Sequence, residues 1–338
     1  SLCEIFATAE GCSDGERNLL PVLQTRETIT ENIPFYIEGA TTKDIDISSL
    51  YNNDSPTATD RTLEIGYTDN PALDVFRALR AVQMPQHDNA PCYAAALYSN
   101  IVMISIFDQL SETSNDTLLH NFDRERAQAL ADEAASKLES LQLENGSWSW
   151  FKGMEGSPYI TLAVAEHLHR LKNYQLSIIN YQLSMVNEML SKAMSYLDKY
   201  MQEDYEKRKE HKWSLTPNEF DMRYMAICEV TENEMLKTYV SQLAKQQKNM
   251  TIFGKAKGAL ILQRFGKTKD ARKFTESVKH YLVFKPGFGR YFATDIAYYS
   301  WQDYRLPTHL AAMRCLTNVD KEKNAKLLPD MQMWLLRQ

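Results

Sequence analysis

The 338-residue chain is long enough for one large domain or two smaller ones, and its 44% hydrophobic and 24% charged content is that of a folded protein, not of a disordered one. A formal charge of −6 gives no reason to expect a nucleic-acid partner, because neutralising phosphates requires clustered Lys and Arg. Twelve Gly and 11 Pro are few for this length and fall mostly between periodic stretches, which predicts a mainly α protein with short connecting loops.

Residues 1–69 differ from the rest. Leu20-Pro21-Val22-Leu23, Ile33-Pro34-Phe35-Tyr36-Ile37 and Arg61-Thr62-Leu63-Glu64-Ile65-Gly66-Tyr67 are separated by turn-rich stretches such as Tyr51-Asn52-Asn53-Asp54-Ser55-Pro56, and they read as short strands. Three short strands bury little surface alone. This β-segment is therefore expected either to pack on the helical part or to belong to a flanking β-domain whose remainder lies outside this chain. Its Cys3 and Cys12 either pair in an oxidising compartment or remain reduced thiols, and the spacing leaves both open. With Cys92, Cys228 and Cys315 the cysteine total is odd and contains no Cys-x-x-Cys, so neither a zinc site nor a dense disulfide framework fits. The last three read as buried, inert helix residues.

Asn70-Pro71 opens the helical region, residues 70–338, with Asn as cap and Pro at the first helical position, where its missing N–H is harmless. In the next segment, 90–113, the most apolar stretch is residues 100–107, too short for a membrane span. Leu130, Ala134, Leu138 and Leu141 share one helix face, opposite Asp132, Glu133, Lys137 and Glu139. Ser157-Pro158 begins another helix with the stripe Ile160, Val164, Leu168 and Leu171. Thr216-Pro217-Asn218-Glu219 reads as a capping box with Thr216 and Glu219 as its two partners. The basic run Lys207-Arg208-Lys209-Glu210-His211-Lys212 follows Glu203-Asp204-Tyr205-Glu206 and reads as a solvated helix end. Further periodic segments cover 184–206, 231–247, 251–265, 269–284, 306–318 and 321–337, and their short connections imply stacked antiparallel hairpins.

One internal repeat is visible. Lys137-Leu138-Glu139-Ser140-Leu141-Gln142 precedes Gly146-Ser147-Trp148-Ser149-Trp150-Phe151, and Met333-Trp334-Leu335-Leu336-Arg337-Gln338 has the same cadence at the point where the chain stops. Gly146 to Leu171 is echoed by Gly289 to Leu316. Repeated helix pairs bury their stripes against neighbours, so the expected architecture is a layered α/α array, cut within the repeat.

Gln142-x-x-x-Gly146-x-Trp148 matches the Gln-x-x-x-Gly-x-Trp motif of α/α-toroid proteins such as terpene cyclases. Gly permits a tight turn, Trp fills the gap between helix layers and Gln can bond exposed helix-end groups, so Gln142, Gly146, Trp148, Trp150 and Phe151 are taken as structural. Two aromatic clusters, Trp148, Trp150, Phe151 and Tyr159, then Phe288, Tyr291, Phe292, Tyr298, Tyr299, Trp301 and Tyr304, read first as helix-layer packing and second as the lining of a glycan or prenyl cleft. Asp44-Ile45-Asp46, the nearest thing to a cyclase acidic motif, lies in the β-segment. His167 and His169 are two apart on a helix, point to different sides and would not share a metal. No cofactor or metal is expected.

Several stretches together resemble the bacterial α2-macroglobulins of the large extracellular type: Asp14-Gly15-Glu16-Arg17-Asn18-Leu19-Leu20-Pro21-Val22-Leu23, Ile33-Pro34-Phe35-Tyr36, Asn70-Pro71-Ala72-Leu73, Gly146-Ser147-Trp148-Ser149-Trp150-Phe151-Lys152-Gly153-Met154 and Ser157-Pro158-Tyr159-Ile160-Thr161. The resemblance implies an α/α toroid held between β-sandwich domains, a cell-envelope or extracellular location, and a protease-trapping endopeptidase inhibitor whose thioester joins Cys to Gln within Cys-x-Glu-Gln. Here the corresponding stretch is Met84-Pro85-Gln86-His87-Asp88-Asn89-Ala90-Pro91-Cys92-Tyr93-Ala94. Counting from Pro85 puts Asp88 at the cysteine and Pro91 at the glutamine. Placing Cys92 at the cysteine puts Ala95 at the glutamine, so neither register builds an acyl-sulfur bond.

The sequence thus leads to a non-catalytic, thioester-less domain acting non-covalently, with flanking domains of its parent and proteases as partners, and with neither nucleic acid nor a direct membrane span. The alternatives are an α/α-toroid enzyme acting on a glycan or apolar substrate, and a protein-binding module reading its partner through an aromatic patch near Trp148 to Tyr159.

Overall fold

The protein is mainly α, 59% of it helix, with a small two-stranded sheet at its N-terminal end. Its structure, a computed structural model, describes all residues except 1, 22–27, 32, 34, 36, 38–41, 53–54, 67–69, 113–116, 174–179, 230–231, 294–304 and 337–338. Contacts divide the chain into two units, residues 1–64 and residues 65–336.

In the first unit β1 (Leu2–Ala9) and β2 (Cys12–Leu19) pair antiparallel, and Gly11 in the connecting turn adopts φ +82°. Glu4 faces Arg17 across the ladder and forms an ion pair with it at 2.5 Å, and the Phe6 ring covers Gly15 opposite. A short helix, α1 (Ser48–Tyr51), follows.

The strands are not those predicted. Leu20 and Pro21 lie beyond the end of β2, Ile33, Phe35 and Ile37 are unpaired, and residues 61–66 are exposed coil, whereas Val22, Leu23, Pro34, Tyr36 and Tyr67 fall outside the described residues. The hairpin carries no apolar alternation in sequence, because β2 is polar almost throughout and exposed on both faces; turn and cross-strand pairs specify it. Cys3 pairs with Asn18 and Cys12 with Ala9, six residues along the ladder or about 20 Å at ~3.4 Å each. That distance is far beyond disulfide reach, and both thiols are free.

In the second unit the helices are α2 (Pro71–Arg80), α3 (Ala90–Leu110), α4 (Thr117–His120), α5 (Arg124–Ser140), α6 (Pro158–Asn173), α7 (Asn180–Glu210), α8 (Glu219–Ile227), α9 (Glu234–Leu243), α10 (Ile252–Arg264), α11 (Thr268–Lys279), α12 (Arg305–Asn318), α13 (Lys321–Asn324) and α14 (Leu328–Leu335). Side-chain caps set many of the starts: Asn70, Asn89, Asp123, Asn233 and Thr251 each accept a first-turn N–H that has no intrahelical partner. The stripe predicted on α6 is buried, Leu168 and Leu171 completely. On α5 the buried face is Ala127, Ala131, Ala134, Ala135 and Leu138, rotated so that Leu130 is only half-buried.

Three boundaries differ from expectation. The capping box of α8 uses Asn218 and Asp221, not Thr216 and Glu219: Asn218 N–H donates to Asp221 Oδ2 at 2.8 Å and Asp221 N–H to Asn218 Oδ1 at 3.0 Å. Arg208 of α7 decides this, donating to Asp221 at 2.8 and 3.3 Å while pairing with Asp204 at 2.6 Å. That also removes Arg208 from the solvated basic run, since only 14% of its side chain is exposed. Periodicity over 269–284 ends at Lys279, because Leu282–Lys285 is strand β3, paired antiparallel with β4 (Gly289–Phe292). The stretch 321–337 is broken into α13 and α14, where Pro329 has no N–H to give the Ala325 carbonyl.

Neighbouring helices pack in chain order. α3 touches α2, α5 and α6; α6 touches α7 and α8; α10 touches α8, α9, α11 and α12; α12 touches α14. One large core runs through these contacts, and a satellite of Leu73, Phe76, Met103 and Leu119 sits under α2, with the Phe76 and Phe122 rings edge-on at 4.9 Å. α3 is long and apolar enough by length and composition to cross a membrane, more so than residues 100–107 alone suggest. In this fold it is a core helix, with Ala94, Leu97, Ile101 and Ile104 buried against its neighbours.

Candidate functional site

The stretch that resembles a thioester region forms the head of α3. Asn89 precedes the helix in an extended conformation, and its Oδ1 accepts the Cys92 N–H at 3.0 Å. Ala90 is buried in the first turn and Pro91 follows it, where a missing N–H costs nothing. Tyr93 donates its hydroxyl to Asp88 Oδ1 at 2.9 Å, and that bond is the main reason its phenol is held above the usual pKa. Asp88 and Asn89 therefore close the helix start. Cys92 is a free thiol, half-buried where a buried one was expected, while Cys228 and Cys315 are fully buried and burial pushes each up to about 11.

The Gln142 motif builds a junction of three helices. Gln142 Nε2 donates to Gly146 O and to Met189 O of α7, both at 2.9 Å, so one amide ties its own loop to the next helix but one. Gly146 sits at φ +86° directly against the Lys192 carbonyl of α7, a fit that leaves no room for a side chain. Trp148 is wholly buried, and its indole N–H donates at 2.9 Å to Leu138 O, one of the carbonyls that the end of α5 leaves open. The Trp148 backbone then joins α6: its N–H donates to Thr161 Oγ1 at 3.0 Å and its carbonyl accepts from Ser157 N–H at 2.8 Å.

The echo further along has the same contact. Gly289, at φ +94°, abuts the Asp330 carbonyl of α14, with Trp334 N 3.0 Å from where a Cβ would stand. Thr161 and Thr308 are both buried near the starts of α6 and α12.

Trp150 and Phe151 do not share the junction. They are 55% and 67% exposed, and Met154 and Tyr159 are 50% and 56% exposed, so the packing expected of this first aromatic cluster holds for Trp148 and in part for Tyr159, whose ring lies edge-on to Phe220 of α8 at 5.0 Å. Their loop is nonetheless held: Ser149 bridges Gly156, Ser149 Oγ donates to Phe151 O at 2.7 Å, and Tyr196 of α7 donates to Gly156 O at 3.2 Å. In the second cluster Phe292 is buried and Tyr291 stacks on Trp334 at 6.3 Å, while Tyr298, Tyr299, Trp301 and Tyr304 fall outside the described residues.

Charged groups supply features that periodicity did not reveal. Arg223 of α8 grips Glu166 of α6 at 3.1 and 2.7 Å, a pair 57 residues apart with no local signature. His167 bonds Ala163 O at 2.9 Å and lies edge-on to Tyr98, whereas His169 senses Arg264, Lys172 and Glu229. Burial lowers the pKa of both. Beside α9 a shallow depression of about 620 Å³, lined by Glu232, Glu234, Lys237 and Thr238 among others, opens to solvent. Neither a protein-family model nor a curated protein matches this sequence.

Proposed function

We propose that this chain is a thioester-less helical domain of an α2-macroglobulin-like protein of the cell envelope or extracellular space, holding flanking domains and contributing non-covalently to protease trapping or to a scaffold. The observation that carries the reading is the head of α3, where the residues in the thioester stretch serve as helix-start partners: Asn89 caps Cys92, Asp88 holds Tyr93, and Ala95 stands three residues beyond the thiol. An α/α toroid is the matching fold. In its support, α3, α6, α8, α10 and α12 touch in succession, and α5, α7, α11 and α14 each pack against at least one of them.

Methylamine treatment followed by intact mass and thiol counting tests this. The mass stays unchanged and Cys92 is alkylated equally before and after treatment. A gain of one methylamine with a newly released thiol would overturn it.

A second reading, a protein-binding module, is favoured by the rigid outward display of Trp150, Phe151, Met154 and Tyr159, since exposed clustered aromatics are what interfaces use as anchors. A Trp150→Ala, Phe151→Ala double variant that keeps its fold but no longer captures envelope proteins supports that reading over the scaffold one. The toroid-enzyme alternative needs a carboxylate available for acid–base work: Glu166 is engaged by Arg223, whereas Asp198, whose pKa burial raises, accepts the Tyr224 hydroxyl at 2.6 Å.

A further inference from the structure

We propose that Asn145 is a covalent modification site, converted through a succinimide to aspartate and isoaspartate, and that the Gln142 junction gates the conversion. Asn145-Gly146 is the one Asn-Gly step in the sequence, and glycine, with no side chain in the way, leaves its nitrogen open to the preceding carboxamide. In the reaction the Gly146 nitrogen loses its proton and bonds to Asn145 Cγ, the Cγ–Nδ2 bond breaks, and ammonia leaves. Water then opens the ring at either carbonyl. Attack at Cγ gives aspartate, and attack at the backbone carbonyl gives isoaspartate, which adds one methylene to the main chain.

Asn145 is exposed to that water, whereas Gly146 and Ser147 are buried. The groups that ring closure must move are held in place. Gly146 N–H donates to Leu143 O at 2.8 Å, and Leu143 N–H donates to Ser147 O at 2.8 Å, which closes the turn from both sides. Asn145 Oδ1 accepts the Ser147 N–H at 3.1 Å and the Ser147 hydroxyl at 2.6 Å, so the carboxamide is fixed as well. Gln142 Nε2 holds the Gly146 carbonyl at 2.9 Å, and Gly146 lies against the Lys192 carbonyl of α7 with no room for a Cβ. Turning the Gly146 nitrogen onto Cγ breaks the bond to Leu143 and lifts Gly146 away from α7. Reaction therefore runs through copies whose junction has opened, at a rate set by their population. An isoaspartate cannot close again, because its extra methylene displaces Gly146 from a contact that already excludes one carbon. Each such conversion records an opening and makes it permanent.

Incubating the full chain in heavy-oxygen water, then mapping peptides by mass spectrometry with the aspartate and isoaspartate forms separated, gives the rate at Asn145. In native buffer the conversion is slower by about tenfold or more than in unfolding guanidinium chloride at the same pH and temperature. Gln142→Ala, with its helicity checked by circular dichroism, removes two hydrogen bonds from the junction and speeds the native conversion about tenfold, leaving the unfolded rate unchanged. Equal native and unfolded rates, absence of isoaspartate in both conditions, or a folded Gln142→Ala that converts no faster than the wild type overturns the proposal. The comparison of native with unfolded wild type decides it alone if the variant does not fold.

Discussion

Gly146 and Gly153 have nearly the same backbone conformation, φ +86° and +87°, but opposite surroundings, and that contrast isolates what the Gln142 motif contributes. An alanine at either position adopts a left-handed geometry, a strain of about 1–2 kcal/mol. At Gly153 nothing lies within 4 Å of the new methyl group, so strain is the whole cost. At Gly146 the methyl carbon would stand 2.6 Å from the Lys192 carbonyl carbon and closer still to its oxygen, where ordinary contact begins at 3.4 Å, so α7 must retreat by more than about 0.8 Å. Backbone cannot swing aside as a flexible side chain does, and overpacking of this kind adds about 1–3 kcal/mol. Gly146→Ala should therefore lose about 2–5 kcal/mol and Gly153→Ala about 1–2 kcal/mol. Gly289→Ala, facing the Asp330 carbonyl, should fall with the first. Urea titrations with an unchanged m-value give the comparison directly. Equal midpoints for Gly146→Ala and Gly153→Ala would refute the close approach of loop and helix.

Asp221→Ala removes the charge that Arg208 is buried against and should cost about 3 kcal/mol in urea unfolding. Adding Arg208→Met should recover part of that loss, and simple additivity of the two would contradict the coupling. His309 is fully buried with Nε2 bonded to Met331 O at 2.9 Å, and burial lowers its pKa below the ordinary 6.5. Above that value both folded and unfolded forms are neutral. As pH falls below it the unfolded chain takes up a proton that the folded one refuses, so stability declines with a limiting slope of about 1.4 kcal/mol per pH unit until the folded pKa is reached. His309→Phe should flatten that part of a pH–stability curve, and an unchanged slope would show that other groups set it. Native thiol labelling should modify Cys3, Cys12 and Cys92 and spare Cys228 and Cys315. A protected Cys92 would contradict its half-buried setting at the head of α3.

What the sequence revealed and what it concealed divide by the reach of the interactions. Asn70-Pro71 and Ser157-Pro158 start helices through contacts within a turn, so composition alone exposed them. Gln142, Gly146 and Trp148 were recognisable because Leu138, Gly146 and Thr161 are close in sequence, although the Met189 and Lys192 carbonyls that complete the junction were not. The choice of Asn218 over Thr216 was illegible for the same reason: two overlapping caps compete, and Arg208 from another helix decides. The polar β2 strand carried no alternation to read. The Glu166–Arg223 pair joins two helices, and periodicity along one helix says nothing about which charges another will bring.

The two glycine contacts bear on how the aromatic loop is displayed. Gly146 is locked on one side by α7, and Gly156, ten residues on, packs against Ser147 while its carbonyl receives the Tyr196 hydroxyl of the same helix. The loop is therefore pinned at both ends to one rigid element, and Trp150, Phe151 and Met154 project from between the pins. Large apolar groups on a slack loop would fold back to bury their surface, at about 25 cal/mol for each Å² regained. Here that collapse is opposed by anchors that must break first. Exposure of the patch is thus a property of the junction itself: whatever loosens the fit between Gly146 and α7 should also let Trp150 turn inward, and its fluorescence would report the change.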